Sequence, residues 1–307
     1  MTQYSSEFAG VDLVGATATF YTDPSDVRFE LSLDNAERWR DSGRPLVVVD
    51  GSPEDGGMGD WVAAAHRRRG AIVLPSDVNG IATQRKQGIA YAVAGAAENM
   101  VTHEPEKTHI SDFASEIIQG LTTYDVLVVG RTALAESTMP PVQRRTERLA
   151  GWVLEQTHAF PADALCGPRG FTVAGAEHLA RYPANEANMN NWIYMYHTPL
   201  AAREAGLPIG GVSFDLRYPQ AMVAQETGSP VFDRKRYDQF KLQLDYLLGR
   251  SDVRPESRRI ADFVLNTIAP FDADASNEVF EDHLVQMEAE FSPLGYHPRP
   301  GQCRIGY

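Results

Sequence analysis

Cysteine is almost missing from this chain: Cys166 and Cys303 are the only two among 307 residues. Two thiols so far apart exclude the dense disulfide framework of small secreted folds and leave no cysteine-rich zinc pattern. Basic residues are also short, 28 Lys and Arg against 41 Asp and Glu, for a net charge of −13. That balance argues against a general nucleic-acid binder, whose affinity comes from cations on phosphates, but permits a local basic pocket. No apolar run approaches the roughly 20 residues that span a bilayer. The opening MTQYSSEFAG has neither the basic nor the apolar region of a signal peptide. The expectation is a soluble, cytoplasmic protein with no transmembrane segment. The chain also lacks G-x-G-x-x-G after its first strand, G-x-x-x-x-G-K-[ST], G-x-S-x-G and H-E-x-x-H. A dinucleotide-binding Rossmann site, a P-loop, a nucleophile elbow and a zinc-protease helix are thereby disfavoured.

The first half, by contrast, has a regular texture. Apolar strand runs at residues 15–22, 45–52, 71–75, 98–104 and 124–131 alternate with helical stretches around 35–42, 59–70, 81–96 and 110–121. Continuous apolar strands interleaved with helices predict a mostly parallel sheet covered on both faces. Ligands of such sheets bind beyond the carboxyl ends of the strands, near a topological switch point. The residues that follow each strand are therefore the candidates: 21–23, 50–52, 75–77, 104–107 and Arg131. From about residue 140 the pattern changes to a long helix opened by Pro140-Pro141, a Gly-rich loop at 164–173, and a helix, turn and strand up to Pro219. The tail is polar and mainly helical, at 234–250 and 275–291. The simplest division is a domain of residues 1–228 and a helical C-terminal extension, 229–307, packed on it and suited to dimerisation.

Several clusters carry possible chemistry, each with a plainer reading beside it. Asp50, at the end of a buried strand, suits a base or ribose hydroxyl, or an Asx turn that caps its own backbone. In "THEPEK" the carboxylates of Glu104 and Glu106 share one side if the backbone is extended. Two hard oxygen donors suit Mg²⁺ or Mn²⁺, Lys107 suits a phosphate, and a solvated charged turn is the alternative. His103 and His109 lack zinc-site spacing. Arg85 and Lys86, near a helix start, fit a diphosphate or a solvated face. Cys166 has no partner pattern of a nucleophile and reads as a buried structural thiol.

The order of these pieces resembles the GT-A fold of nucleotide-sugar glycosyltransferases, in particular the large family 2 group, over residues 15–219. "FYT" is similar to the family's opening strand and nucleotide-facing loop, which assigns Tyr21 and Thr22 to the donor. "VVVDGS" is similar to the second strand, whose Asp50 meets the base. "IATQRKQGIAYAV" resembles the helix that brings Arg85 and Lys86 near the diphosphate. "MVTHEPEK" falls where the family carries D-x-D, so Glu104 and Glu106 are the implied metal ligands, with Lys107 on the donor. "ALCGPRGFTV" is similar to the acceptor loop, which implies Gly167, Arg169 and Gly170 on the acceptor side with Trp192. Two departures stand out. "ANMNNWIYMYH" places Asn190-Asn191 where inverting members carry an acidic pair, and an amide is no base; Asn191 or Glu186 is left near the reacting centre. "DLRYP" offers Tyr218 where retaining relatives place a metal-binding His. The resemblance implies transfer of a sugar from a nucleoside-diphosphate sugar to a small acceptor. A catalytically degenerate nucleotide- or sugar-binding protein is the alternative. A sugar-phosphate nucleotidyltransferase is disfavoured by the lack of a Gly-rich basic loop after the first strand.

Overall fold

The computed structural model describes residues 6–76, 78, 80–160, 163–184, 190–251, 253, 282, 284–289 and 292. Seven strands form one sheet: β1 (Val14–Thr19), β2 (Leu46–Asp50), β3 (Ile72–Pro75), β4 (Asn99–His103), β5 (Val126–Arg131), β6 (Arg169–Thr172) and β7 (Ile209–Phe214), in the order β3-β2-β1-β4-β6-β5-β7. All neighbours are parallel except β6, which runs antiparallel to both β4 and β5. The helices are α1 (Val27–Asp41), α2 (Met58–Arg68), α3 (Ile81–Ala94), α4 (Ala114–Leu121), α5 (Ala133–Ser137), α6 (Pro141–His158), α7 (Val173–Ala180), α8 (Tyr194–Glu204), α9 (Gln220–Glu226) and α10 (Pro230–Gly249).

The strands are largely apolar, β2 and β5 most of all, because both faces of the sheet are covered. Val14, Ala16, Val47, Val49, Val126 and Val128 point into one core with Ile89 of α3, Leu149 of α6, Leu200 of α8 and Phe240 of α10. Leu46, Val48, Val101, Leu127 and Val129 point the other way, onto Trp39 of α1 and Ile117 of α4. This is the period-two alternation of strand side chains, each half of which finds its own helical cover.

The mixed, mostly parallel sheet expected from the sequence is present, with differences at particular elements. The segment 164–173, read as a Gly-rich loop, contains β6, a four-residue strand wedged between β4 and β5. β1 stops at Thr19, so Phe20 to Thr22 lie beyond the sheet. Helix α1 extends the helical stretch read at 35–42 back to Val27, capped by Asp26, whose side chain accepts from the Arg28 amide at 2.9 Å. In the tail, α10 starts with proline in its first turn and packs along α6. Much of the second helical stretch, 275–291, lies outside the described residues. Within it Leu284 and Met287 are buried in the main core, and Glu288 pairs with Arg145 at 2.6 Å.

Candidate functional site

The chain leaves β1 toward β2 and β3 on one side, then returns to β4 on the other side of β1. The carboxyl ends of β1 and β4 are thus the switch point, where the loops diverge and open a crevice. A cavity of about 280 Å³ lies there, lined by Thr19, Phe20 and Tyr21 after β1, Glu104 and Glu106 after β4, and Lys235 and Arg236 from α10. A smaller cavity of about 40 Å³ adjoins it and shares Glu104, Glu106, Trp192 and Arg236, adding Lys107, Tyr218, Gln143 and Cys166.

Glu104 to Lys107 form a tight turn, with the Lys107 amide donating to the Glu104 carbonyl at 3.0 Å. The extended backbone expected for "EPEK" is therefore corrected to a turn, yet both carboxylates still line the crevice. Their situations differ. Glu104 accepts from Arg85 Nη2 at 2.9 Å, and the two side chains are 8% and 1% exposed. Arg85 also donates to the Gly167 carbonyl at 3.2 Å and lies 5.1 Å from the Tyr194 ring centre. Burial drives the Glu104 carboxyl up, but Arg85 and Lys107 outweigh it and hold it below the usual range. For Arg85, burial works against the charge and Glu104 overcomes it. Both stay ionised. Glu106 has no ion pair among the described residues: burial, then the neighbouring Glu104 charge, raise its carboxyl above the usual range.

Gly167 makes the seat for this pair. It has φ +100°, and a Cβ there would fall 1.8 Å from Glu104 Oε1. Only glycine fits a left-handed backbone against a carboxylate. Arg169, in β6, is fully buried and caps carbonyls, donating to Pro168 at 2.7 Å and Met195 at 3.1 Å as well as to Ala164. Gly170 sits inside β6 opposite Leu127. Neither lines the crevice, whereas Trp192 lines both parts of it.

The other expected residues separate in the same way. Tyr21 lines the crevice, its hydroxyl donating to the Arg28 carbonyl at 3.2 Å, and Thr22 is exposed beyond it. Asp50 Oδ1 accepts from Thr19 Oγ1 at 2.8 Å and from Ser52 Oγ at 2.7 Å, tying β1 to the loop after β2. Lys86, one residue round α3 from Arg85, points away and donates to the Tyr182 carbonyl at 2.6 Å. Asn191 Oδ1 accepts from the Ile193 amide at 2.9 Å, at the entry to α8. Its neighbour Asn190 accepts from the Thr83 amide at 3.0 Å. Glu186 lies outside the described residues. Tyr218 donates to Glu226 at 2.8 Å, receives Arg236 at 3.1 Å, and has Lys107 Nζ 5.4 Å from its ring centre. Cys166 is buried, and burial pushes its thiol up to about 12, which suits a structural role.

Sequence reasoning missed Arg28, Lys235 and Arg236. The run Arg234-Lys235-Arg236 was visible, but nothing local says that α10 folds back over the crevice. Arg28 is held by Asp26 in a fork, and Arg236 by Glu226 at 3.2 Å. Lys107 and Lys235 have no ion pair among the described residues.

A divalent ion held by Glu104 and Glu106 together does not fit this arrangement. One Glu104 oxygen is committed to Arg85, and the other, buried without a hydrogen-bond partner, lies in the field of that guanidinium. A dication beside a buried cation costs on the order of several kcal/mol at an effective dielectric near 20. Among the described residues no group of three or more His, Cys, Asp or Glu side chains is placed to hold a metal. No helix among them is long and apolar enough to cross a membrane.

No protein-family model matches the chain, and no curated protein matches it in sequence. Solved structures do match it in fold. The mannosyltransferase PcManGT from Pyrobaculum calidifontis, in complex with GDP-Man and Mn²⁺, is 12% identical with a TM-score of 0.53, over 94% of this chain and 76% of that one. TarS 1-349 from S. aureus in complex with UDP-GlcNAc is 12% identical with a TM-score of 0.45, over 91% and 80%. The 4-diphosphocytidyl-2C-methyl-D-erythritol synthase from Anaerococcus prevotii is 9% identical with a TM-score of 0.44, over 72% and 96%. The likeness to PcManGT, with the seven-stranded sheet described above, gives this chain a GT-A-like fold.

Proposed function

We propose that the protein is a glycosyltransferase that moves a sugar from a nucleoside-diphosphate sugar to a small acceptor. The observation that carries this reading is the crevice at the β1–β4 switch point, which combines an aromatic rim with two lysines that have no ion pair among the described residues. Phe20, Tyr21 and Arg28 would meet the nucleoside side. Lys107 and Lys235 would meet the diphosphate, and Trp192 would border the acceptor. In the reaction the acceptor oxygen bonds to the anomeric carbon as the carbon–oxygen bond to the diphosphate breaks. The diphosphate leaves with the electron pair, and the acceptor gives its proton to a base. Preorganised cations at the departing diphosphate lower the barrier electrostatically, and positioning supplies much of the rest. Glu186 is the carboxylate we assign as that base, since Asn190 and Asn191 have no basic atom. Helix α10, in the C-terminal extension after residue 229, lends Lys235 and Arg236 to the crevice.

The test is turnover of a panel of nucleotide sugars, read as release of nucleoside diphosphate with candidate acceptors. Glu186→Gln is expected to lower kcat by on the order of 10²–10⁴ with binding retained. The engagement of Asn190 and Asn191 as backbone caps favours a second reading, binding of nucleotide or sugar without transfer. Under that reading nucleotide sugars bind, nothing turns over, and Glu186→Gln changes nothing.

A further inference from the structure

We propose that this crevice holds the diphosphate of its ligand with Lys107 and Lys235 and needs no divalent metal. The inference rests on the function proposed above and concerns how the same site carries its charge. The groups around Glu106 reduce to a short account. Arg28 is neutralised by Asp26, Arg236 by Glu226, and Arg85 by Glu104. Arg131, deeper in the smaller cavity, meets both Glu147 at 2.5 Å and Asp163 at 2.8 Å. One of the two carboxylates on Arg131 is left over, so Lys107 and Lys235 stand against two carboxylates, that one and Glu106.

Lys107 is buried and Lys235 half-buried. Lys107 is 7% exposed and its ammonium is set above the Tyr218 ring. Lys235 lines the larger cavity, and burial, with Arg236 and Arg28 beside it, lowers its ammonium below the usual lysine range. Neither lysine has an ion pair among the described residues, and the cavities they line adjoin, sharing Glu104, Glu106, Trp192 and Arg236. Such a pair is stabilised when an anion of high charge density enters between the turn after β4 and helix α10. A diphosphate is such an anion, and two ammonium groups supply the charge that one dication would.

The Arg85–Glu104 pair explains why the carboxylate turn does not do this work by chelation. Glu104 is turned inward, onto a guanidinium fixed by the Gly167 carbonyl and the Tyr194 ring, and Gly167 leaves room for that orientation. An ion held by lysines is screened by salt and indifferent to chelators, whereas a metal-bridged one is lost in EDTA.

The experiment is calorimetric titration of the full chain with UDP, GDP, ADP, CDP and dTDP, each in EDTA and in Mn²⁺. At least one nucleotide is expected to bind with a Kd that agrees within about threefold between the two conditions. Lys107→Met and Lys235→Met are each expected to weaken it at least tenfold, with thermal melts to show that they fold. Binding that appears only with Mn²⁺ overturns the inference and leaves the proposed function standing. Unchanged affinity in folded Lys107→Met and Lys235→Met proteins also overturns it. No binding of any of the five nucleotides in either condition overturns both. The wild-type comparison needs no substitution and decides the metal question by itself.

Discussion

Arg85 and Glu104 lie nineteen residues apart in sequence, yet the first placement of each shapes the crevice. Both residues were picked out from the sequence, one as a diphosphate contact and one as a metal ligand. Their mutual pairing was not legible, because it depends on α3 crossing over β1 to face the end of β4. Removing one partner of a buried pair leaves the other uncompensated, so Glu104→Ala is expected to destabilise the fold by about 3–5 kcal/mol. Replacing both, as Arg85→Met with Glu104→Leu, is expected to recover most of that loss. Urea denaturation of the two variants beside wild type checks this. Equal losses in the single and double variants would show that the pair is not what Arg85 depends on. Gly167→Ala should resemble Glu104→Ala, since a Cβ would displace the carboxylate from its seat.

At the level of elements, helix α3 shows what Asn190 does. The helix begins after Gly80, which has no side chain to cap it, and Asn190 reaches from 107 residues away to accept from the Thr83 amide. That amide is one of the donors a helix start leaves unpaired. A Cβ on Gly80 would lie 1.9 Å from the Asn190 amide nitrogen, so the glycine makes room for the distant cap. Asn190→Ala is expected to cost about 1 kcal/mol, and Asn190→Asp to retain most of the stability because a carboxylate accepts the same bond. Thermal melts of both variants read this directly, and equal melting temperatures for Ala and wild type would remove the cap from the account. From sequence alone the two asparagines invite a comparison with an acidic pair, since a cap contributed across such a distance has no local signature. Strand β6 was hidden for a similar reason. "RGFT" is too short and too rich in glycine to show alternation, and only β4 and β5 on either side make it a strand. The longer strands, β2 and β5, were legible because every residue in them is buried.

For the whole molecule, the histidines set the response to acid. His103 is fully buried, stacked on Trp39, with Nδ1 donating to the Glu104 carbonyl at 2.9 Å. Burial lowers it to about 4, and burial lowers His197 to about 4 as well. A histidine depressed in the folded state binds its proton in the unfolded chain first. Between pH 6.5 and 4 the unfolded state therefore holds more protons, and stability falls as pH falls through that window. For His103 alone the loss by pH 4 is on the order of 3 kcal/mol. Glu104 and Asp163 are depressed carboxyls, so their contribution is lost only lower, as pH falls through their folded values. Glu106 acts in the opposite sense, since its raised carboxyl is relieved by taking a proton as the pH drops. Above the usual carboxyl range its charge is a cost to the fold, so Glu106→Gln is expected to raise the melting temperature at pH 7.5 by about 1–3 °C, with the gain fading toward pH 4. Urea titrations at pH 7.5, 6 and 4.5 on wild type and His103→Gln separate these effects. A shallower loss of stability between pH 6 and 4.5 in His103→Gln is the expected result. Parallel curves would mean that the acid response comes from other groups, and that the core beneath the crevice tolerates a charged imidazole.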